Sequence, residues 1–226
     1  MFDRIAGVYD LMNRAMTAGM DREWRERTAD RAELEPGDSA LDVCCGTGDL
    51  TVELRRRVGP TGRVVGCDFS EPMLELARDK VDGLELSDIE FEWADALDLP
   101  YGDASFDAVT VGFGVRNLAD LRRGIAELTR VLRPGGRLAI LEITQPRRPP
   151  LSYFHALWFD HIVPMLGRVA GDSAAYSYLP ESVRSFPPPE EVAELMHLAG
   201  LERIRWTLLA GGIIAIHSGV RPGEAA

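Results

Sequence analysis

The chain has 226 residues, of which 46% are hydrophobic, and its formal net charge is −11 at pH 7. This length fits one domain with a substantial core, and the acidity argues against a nucleic acid partner, because phosphate is bound by basic patches. No uncharged apolar run is long enough to span a membrane. The three cysteines, Cys44, Cys45 and Cys67, favour a reducing cytoplasm over a disulfide framework, because the first two are neighbours that point to opposite faces of a strand.

The first 35 residues are predicted to form two helices. Apolar residues recur at spacings of three and four between Phe2 and Met16. A second helix is predicted over about Asp21 to Leu34, and it ends before Pro36. Because both helices precede the first strand, we expect them to fold over a site at the sheet, although a simple covering role fits the pattern equally well.

Strands and helices alternate through the middle of the chain. Strands are predicted at about 40–44, 63–67, 89–93, 106–111 and 137–142. Helices are predicted up to Val58, from a cap at Ser70, and over about Leu118 to Leu132, after which Arg133 to Gly136 forms a turn. This alternation predicts an α/β protein with a parallel, doubly wound sheet.

The C-terminal third departs from this alternation. The segment from about residue 143 to residue 188 is rich in aromatic residues and prolines, and we interpret it as an inserted helical cap. A helix is predicted from Glu190 to Ala199, followed by a hairpin of strands at about 202–209 and 213–218. The whole chain, 1–226, is therefore predicted to be one domain with a cap.

The most informative stretch is residues 40–49, where an apolar strand breaks at Gly46-Thr47-Gly48 and a helix follows at once. A dinucleotide-binding turn would carry a third glycine where this chain has Thr51, and Asp49 in the first helical turn would repel a pyrophosphate. Asp68 ends the second strand 22 residues after Gly46, about the spacing at which a carboxylate binds ribose hydroxyls. These features suit a phosphate-free, cationic nucleoside such as S-adenosylmethionine, and the alternative is a plain turn with glycines for packing.

Several motifs resemble known methyltransferases. The run from Leu41 to Gly48 resembles the first motif of the class I methyltransferases, and the run from Leu132 to Gly136 is similar to their turn before strand five. A narrower resemblance, to the ubiquinone/menaquinone C-methyltransferase family, covers nearly the whole chain. It is carried by Phe2-Asp3-Arg4-Ile5-Ala6, Gly112-Phe113-Gly114-Val115-Arg116-Asn117, Tyr178-Leu179-Pro180-Glu181-Ser182, Phe186-Pro187 and Gly211-Gly212-Ile213.

The resemblance implies a Rossmann-like class I methyltransferase fold, with a mostly parallel seven-stranded sheet, a C-terminal antiparallel hairpin and a helical cap. The implied reaction transfers the methyl group of S-adenosylmethionine to a ring carbon of a prenylated quinol, either a demethylated menaquinol or a related benzoquinol, and leaves S-adenosylhomocysteine. The predicted cofactor contacts, from the glycine motif and the resemblance together, are Asp42, Gly46, Thr47, Gly48, Asp68, Phe69, Asp95, Ala96 and Gly112.

Each acid among these has a physical role. Asp68 can accept both ribose hydroxyls, and Asp95 or the backbone beside it can receive the adenine amino group, unless Asp95 only caps its loop. Asp42 could orient the glycine turn or receive the ligand's ammonium group. Relatives commonly have serine where this chain has Gly112, so only a backbone contact is expected there.

The predicted catalytic residues are Arg116, Asn117, His161 and Tyr178. Arginine stays protonated in proteins, so Arg116 is expected to hold a phenolate or polarise a water. The alternative is an ordinary salt bridge or a contact at the start of a helix. Asn117 could orient the ring oxygen. His161 and Tyr178 are candidate proton acceptors, with His155 and Tyr153 as rivals. The aromatic residues of the cap either line a path for the prenyl tail or form the core beneath the cap.

Other functions remain open on the sequence. A methyltransferase for another small molecule and a non-catalytic cofactor-binding protein share these motifs, whereas a nicotinamide dehydrogenase is disfavoured by Thr51. The predicted partner is a prenylated quinol. Neither a nucleic acid nor a metal is expected to bind. A cytoplasmic location is expected, and both a peripheral contact with the inner face of the membrane and a homodimer are compatible with the sequence.

Overall fold

The computed structural model describes residues 14, 17, 19–86, 88–146, 149, 152–153, 157 and 180–223. The helices are α1 (Asp21–Arg31), α2 (Asp49–Val58), α3 (Glu71–Gly83), α4 (Leu121–Arg130) and α5 (Pro189–Leu198). The strands are β1 (Ser39–Val43), β2 (Arg63–Asp68), β3 (Glu90–Trp93), β4 (Phe106–Gly112), β5 (Leu132–Ile143), β6 (Glu202–Leu209) and β7 (Ile214–Val220). Short 3-10 turns cover Val115–Asn117 and Ala210–Gly212.

The strands of the described residues form one seven-stranded sheet in the order β3-β2-β1-β4-β5-β7-β6. The pairs from β3 to β5 are parallel, and β7 pairs antiparallel with both β5 and β6. The strand order therefore reverses at β1, between β2 and β4. In open α/β sheets this reversal leaves a crevice at the carboxyl ends of the strands, which is where ligands bind. The predicted fold class and the C-terminal hairpin are confirmed.

Alternating residues of the central strands pack against helices on opposite faces of the sheet. Leu41 and Val109 pack with Ile125 of α4 and Met196 of α5, whereas their neighbours Ala40 and Ala108 pack with Leu54 of α2. Strands buried on both faces read as nearly continuous apolar runs, which is why the central strands were predictable. The core thus holds the carboxyl ends of β1, β2, β4 and β5 in fixed positions.

Three predicted boundaries differ clearly from the structure, and the first is the end of helix α1, which lies at Arg31 rather than near Leu34. Strand β5 already begins at Leu132, and residues 133–136 form a bulge within it, because the register with β4 shifts between the Phe106↔Leu132 and Ala108↔Arg137 pairs. Helix α4 begins at Leu121 rather than near Leu118, because the Asp120 side chain caps it by accepting a hydrogen bond from the Arg123 backbone N at 2.9 Å.

Much of the predicted peripheral structure lies outside the described residues. This holds for the first predicted helix and for most of the predicted cap, of which residues 180–185 are helical. The single-domain assignment and the cap therefore remain predictions. Within the described part of the chain, no helix combines the length and the apolar character that crossing a membrane requires.

One buried histidine couples the fold to pH. His217 of β7 is 1% exposed, and its Nε2 lies 3.0 Å from the carbonyl oxygen of Pro189, at the start of α5. Burial lowers the pKa of His217 to about 4 from its usual 6.5. Between these values the unfolded chain binds a proton that the folded chain does not, so stability must fall as the pH falls through this range.

We therefore predict that His217→Gln, whose amide can still donate to the Pro189 carbonyl, reduces the acid sensitivity of the fold. Between pH 7.5 and pH 5 the unmodified protein should lose about 2 kcal/mol of unfolding free energy relative to the variant. Urea unfolding at both pH values measures this difference. The matched control is His197→Gln, at an exposed position on α5, and an equal change with pH in all three proteins would contradict the prediction.

Candidate functional site

The glycine turn after β1 has an unusual backbone. Cys44, Gly46 and Gly48 all have positive φ, at 56°, 55° and 82°. A Cβ at Gly48 would lie 3.1 Å from the Phe91 ring and 3.3 Å from the Ala77 Cβ, whereas one at Gly46 would meet no described heavy atom within 4 Å. Gly48 therefore allows close packing against α3 and β3, and Gly46 leaves open space at the turn. A positive φ costs conformational free energy for a non-glycine residue such as Cys44. Residues strained in this way are commonly found at functional sites.

Asp68 ties this turn to the end of β2. Its Oδ2 accepts a hydrogen bond from the Gly46 backbone N at 2.8 Å, and its Oδ1 accepts one from the Ser70 backbone N at 2.9 Å. The Cys45 backbone N also donates to the Cys67 carbonyl at 3.0 Å. The structure thus brings the predicted ribose acid beside the predicted glycine turn and leaves its side chain only partly buried.

Asp42 lies beneath the turn. It is fully buried, its Oδ1 accepts a hydrogen bond from the Thr110 hydroxyl, and its Oδ2 accepts one from the Thr51 hydroxyl, both at 2.7 Å. Burial raises the pKa of Asp42 to about 6 in spite of these bonds. Asp42 therefore ties α2 to β4, which favours orientation of the turn over direct receipt of an ammonium group. Thr51, the residue that disfavoured a dinucleotide site, supplies one of these bonds.

The cations around the turn are paired with acids. Lys80 of α3 donates to Asp49 Oδ1 at 2.7 Å and to the hydroxyl of the buried Thr47 at 3.0 Å. Arg25 of α1 donates to Asp21 at 2.5 Å and lies 3.9 Å from Asp49. The predicted contact residue Thr47 is thus held by Lys80 from the side of α3. These pairs compensate the positive charge of both cations beside the turn.

Two exposed aromatic residues flank Asp68. Phe69 is 68% exposed and Trp93, at the end of β3, is 55% exposed. The Trp93 Nε1 donates to the Phe69 carbonyl at 2.7 Å, and the ring centroids lie 6.5 Å apart. Trp93 was not among the site residues predicted from the sequence. An aromatic residue at the end of strand three must nevertheless lie beside the acid that ends strand two if these strands are parallel neighbours.

The loop after β3 carries the predicted adenine contacts. Ala96 is buried, whereas Asp95 is exposed and its Oδ1 accepts a hydrogen bond from the Leu97 backbone N at 2.9 Å. The loop-capping alternative for Asp95 is therefore present in the structure. An adenine amino group could still be received by the other carboxylate oxygen or by the backbone.

The end of β4 carries the predicted catalytic residues. Gly112 closes the strand beside Leu50, and Phe113 follows with φ of 60°. The Phe113 carbonyl accepts hydrogen bonds from Arg116 Nη1 at 2.5 Å and from Asn117 Nδ2 at 3.4 Å. Arg116 and Asn117 are thus fixed next to each other in the 3-10 turn that follows β4.

Arg116 also forms a buried ion pair with Glu142, a residue that was not among those predicted from the sequence. Its Nη1 donates to Glu142 Oε1 at 2.7 Å, and the two side chains are only 7% and 1% exposed. The salt-bridge alternative for Arg116 is therefore realised. The available signal was an acid near the end of the apolar fifth strand, since parallel neighbours place that strand's end beside the turn after β4.

Of the four proposed proton acceptors, Tyr153 lies among the described residues. His155, His161 and Tyr178 lie outside the described residues, and the side chain of Tyr153 is 73% exposed.

The sheet order, the glycine turn and the adjacent acid define the fold class of S-adenosylmethionine-dependent methyltransferases. A methyltransferase of this kind from Aquifex aeolicus aligns with a TM-score of 0.62 and 23% identity, over 87% of this chain and 89% of its own. The [4+2]-cyclase SpnF aligns with a TM-score of 0.68 and 22% identity, over 91% of this chain and 82% of its own. Because a cyclase shares the fold, the fold alone does not define the reaction.

The chain belongs to the ubiE/COQ5 methyltransferase family, whose profile matches residues 1–221. The demethylmenaquinone methyltransferase of Deinococcus radiodurans is 47% identical over 97% of this chain and 90% of its own length. The enzymes of the same name from Desulfitobacterium hafniense and Bacillus cytotoxicus are 42% and 41% identical, over 98% of this chain and 88% and 94% of their own lengths. The predicted family is therefore confirmed.

We predict that Trp93→Phe weakens binding of S-adenosylhomocysteine about 2- to 10-fold, because one hydrogen bond that fixes the segment after Asp68 is lost while an aromatic ring is kept at this position. Calorimetric titration measures the affinity. The matched control is Trp206→Phe, at a half-exposed position on the distant edge strand β6. An unchanged affinity in Trp93→Phe, or an equal loss in both variants, would remove Trp93 from the cofactor site.

Proposed function

We propose that this protein transfers the methyl group of S-adenosylmethionine to a ring carbon of demethylmenaquinol. The observation that carries the proposal is the 41–47% identity, over 97–98% of the chain, to relatives that are all named demethylmenaquinone methyltransferase. The match to the ubiE/COQ5 family over residues 1–221 supports the same reaction class. These names favour the naphthoquinol over the benzoquinol that the sequence left open.

The residues at the carboxyl edge fit a phosphate-free, cationic nucleoside. Asp68 is an acid whose position is fixed by the turn, Gly46 leaves open space, and both Lys80 and Arg25 are paired with acids. A pyrophosphate would instead need uncompensated donors. This donor set therefore suits an adenosine with a sulfonium better than a dinucleotide.

We assign the cofactor contacts accordingly. Asp68 would accept the ribose hydroxyls, the turn from Gly46 to Gly48 would bring backbone close to the ligand, and Asp42 would act only by holding the turn. Phe69, Asp95, Ala96 and the backbone of Gly112 would surround the adenosine, with Trp93 holding Phe69. When bound, the cofactor supplies a methyl group that its sulfonium already activates.

Arg116 and Asn117 are proposed to act on the quinol. Donation from Arg116 to a ring oxygen would stabilise the phenolate form, in which electron density on the neighbouring ring carbon is raised. That carbon would form the new bond to the methyl carbon as the bond between methyl and sulfur breaks, with its electron pair left on sulfur. The ring carbon would then release its proton to bulk water, and the electrons of the carbon–hydrogen bond would restore aromaticity. His161 and Tyr178 remain the proposed acceptors of the phenolic proton.

The prenyl tail of such a substrate would bring the protein to a membrane surface. Tyr153 and Leu157, which follow β5 in the sequence, are 73% and 54% exposed. Apolar side chains in such positions could support a peripheral contact in spite of the net charge of −11, because that contact needs no basic patch. We therefore propose access to the quinol from the water side of the membrane.

The substrate assignment is tested by methyl transfer from radiolabelled S-adenosylmethionine. Demethylmenaquinol, a demethylated benzoquinol, a simple phenol and an amine serve as acceptors. We expect the label in the naphthoquinol with a kcat/KM at least about 10-fold above the benzoquinol, a discrimination within the reach of a shaped apolar pocket. Preference for the benzoquinol would overturn the naphthoquinol assignment, and labelling of the phenol or the amine alone would overturn quinol methylation.

Two variants should separate binding from turnover. Asp68→Asn should weaken S-adenosylmethionine binding about 10- to 100-fold, because charged acceptors are replaced by an amide. Arg116→Lys should keep affinity within about 3-fold and lower kcat about 10- to 100-fold, because lysine keeps the charge without the planar fork. Lysine is preferred to alanine here, since leaving Glu142 buried and unpaired would cost about 3–5 kcal/mol of stability.

Calorimetry and single-turnover rates measure these two effects, with Asp79→Asn on an exposed position of α3 as the control for charge removal. Equal loss of cofactor affinity in Asp68→Asn and Arg116→Lys would exclude Arg116 from the chemistry.

A further inference from the structure

Glu142 carries a buried carboxylate at the carboxyl edge of the sheet, and no role has yet been assigned to it. It is 1% exposed and accepts three hydrogen bonds, from Arg116 Nη1 at 2.7 Å, the Arg116 backbone N at 3.2 Å and the Ile143 backbone N at 2.8 Å. These donors occupy both carboxylate oxygens, so the Glu142 side chain is fixed in position at the end of β5.

The sheet places the Glu142 carboxylate beside the 3-10 turn that carries Arg116 and Asn117. The register of β4 and β5 pairs Gly112 with Leu141, and the Phe113 backbone N donates to the Leu141 carbonyl at 2.8 Å. Glu142 consequently lies one step beyond the last β4 residue, where it meets both the backbone and the side chain of Arg116. The second anchor of the guanidinium is the Phe113 carbonyl, at 2.5 Å.

A buried ion pair of this kind is not needed for stability alone. Apolar residues of similar volume often replace such pairs without loss, because desolvation of both charges offsets their attraction. The pair therefore invites a functional explanation. A methyltransferase site must bring a donor near the ring oxygen without placing net positive charge close to a sulfonium, and a guanidinium compensated by a fixed carboxylate does both.

We propose that Glu142 is a positioning residue for methyl transfer, which holds the Arg116 guanidinium at the end of β4 and cancels the charge that this arginine would otherwise present to the cationic cofactor. This inference rests on the proposed function. It also explains why the other two cations described at the turn, Lys80 and Arg25, are paired with Asp49 and Asp21.

The charge component has a specific readout, because S-adenosylmethionine carries the sulfonium and S-adenosylhomocysteine does not. Glu142→Gln should raise the ratio of their dissociation constants, S-adenosylmethionine over S-adenosylhomocysteine, about 5-fold or more, as expected for one uncompensated charge within roughly 10 Å in a partly shielded site. A residue with only a structural role would weaken both ligands equally. Removing both charges in Glu142→Gln/Arg116→Gln should return the ratio to that of the unmodified protein.

The positioning component is tested with Glu142→Asp, which keeps the charge but shortens the side chain by one methylene. The ratio of dissociation constants should stay unchanged while kcat for demethylmenaquinol falls about 10-fold or more. The matched control is Glu90→Gln, which breaks an exposed ion pair with Arg63 at the amino ends of β2 and β3. This variant should leave both the ratio of dissociation constants and kcat unchanged. Thermal unfolding checks that each variant folds.

Two results would overturn the proposal. These are an unchanged ratio in folded Glu142→Gln, or a kcat of Glu142→Asp equal to that of the unmodified protein. Failure of the proposed function would look different, because the unmodified protein would then methylate no quinol while the ratio of dissociation constants would still respond to Glu142→Gln.

Discussion

The hydrogen bond from the Gly46 backbone N to the Asp68 carboxylate, at 2.8 Å, is the contact on which the proposed site depends. It joins the left-handed turn after β1 to the end of β2, and the second oxygen of Asp68 continues the connection to Ser70 at the start of α3. A carboxylate at this position, at the end of β2, does not repel a nucleoside that carries a positive charge. The contact fixes the shape of the turn, whereas Asp49 and Thr51 are the residues that disfavour a pyrophosphate.

The rest of the carboxyl edge follows the same electrostatic pattern. Asp42 is buried under the turn between two threonine hydroxyls, Lys80 and Arg25 are matched by acids, and Arg116 is matched by Glu142. Fixed and compensated charges of this kind need little rearrangement when a ligand binds, which is how preorganised sites stabilise developing charge.

Much of the fold could be predicted because the central strands are buried on both faces and therefore read as nearly continuous apolar runs. The position of Asp68 relative to Gly46 followed from spacing alone, and the structure places them in contact. Glu142 and Trp93 were missed for a different reason: each acts on a residue of a neighbouring strand end, Arg116 or Phe69, which is 24–26 positions away in sequence. Recognising them requires knowledge of which strands are neighbours.

Side-chain roles were harder to predict than positions. Thr47 was expected to face the cofactor, and the structure adds a bond from Lys80 to its hydroxyl. Asp42 had two plausible roles, and only burial between Thr51 and Thr110 distinguishes them. The turn at Arg133 to Gly136 was mistaken for the end of an element, because glycine and proline mark bulges within strands as well as turns.

The central claim is that the turn and Asp68 bind a phosphate-free, cationic nucleoside. Calorimetric titration of the unmodified protein with S-adenosylmethionine, S-adenosylhomocysteine and NAD tests it most directly. We predict saturable heat with the first two ligands at one site per chain and none with NAD. Absence of heat with both adenosyl ligands, or saturable binding of NAD in their place, would contradict the account.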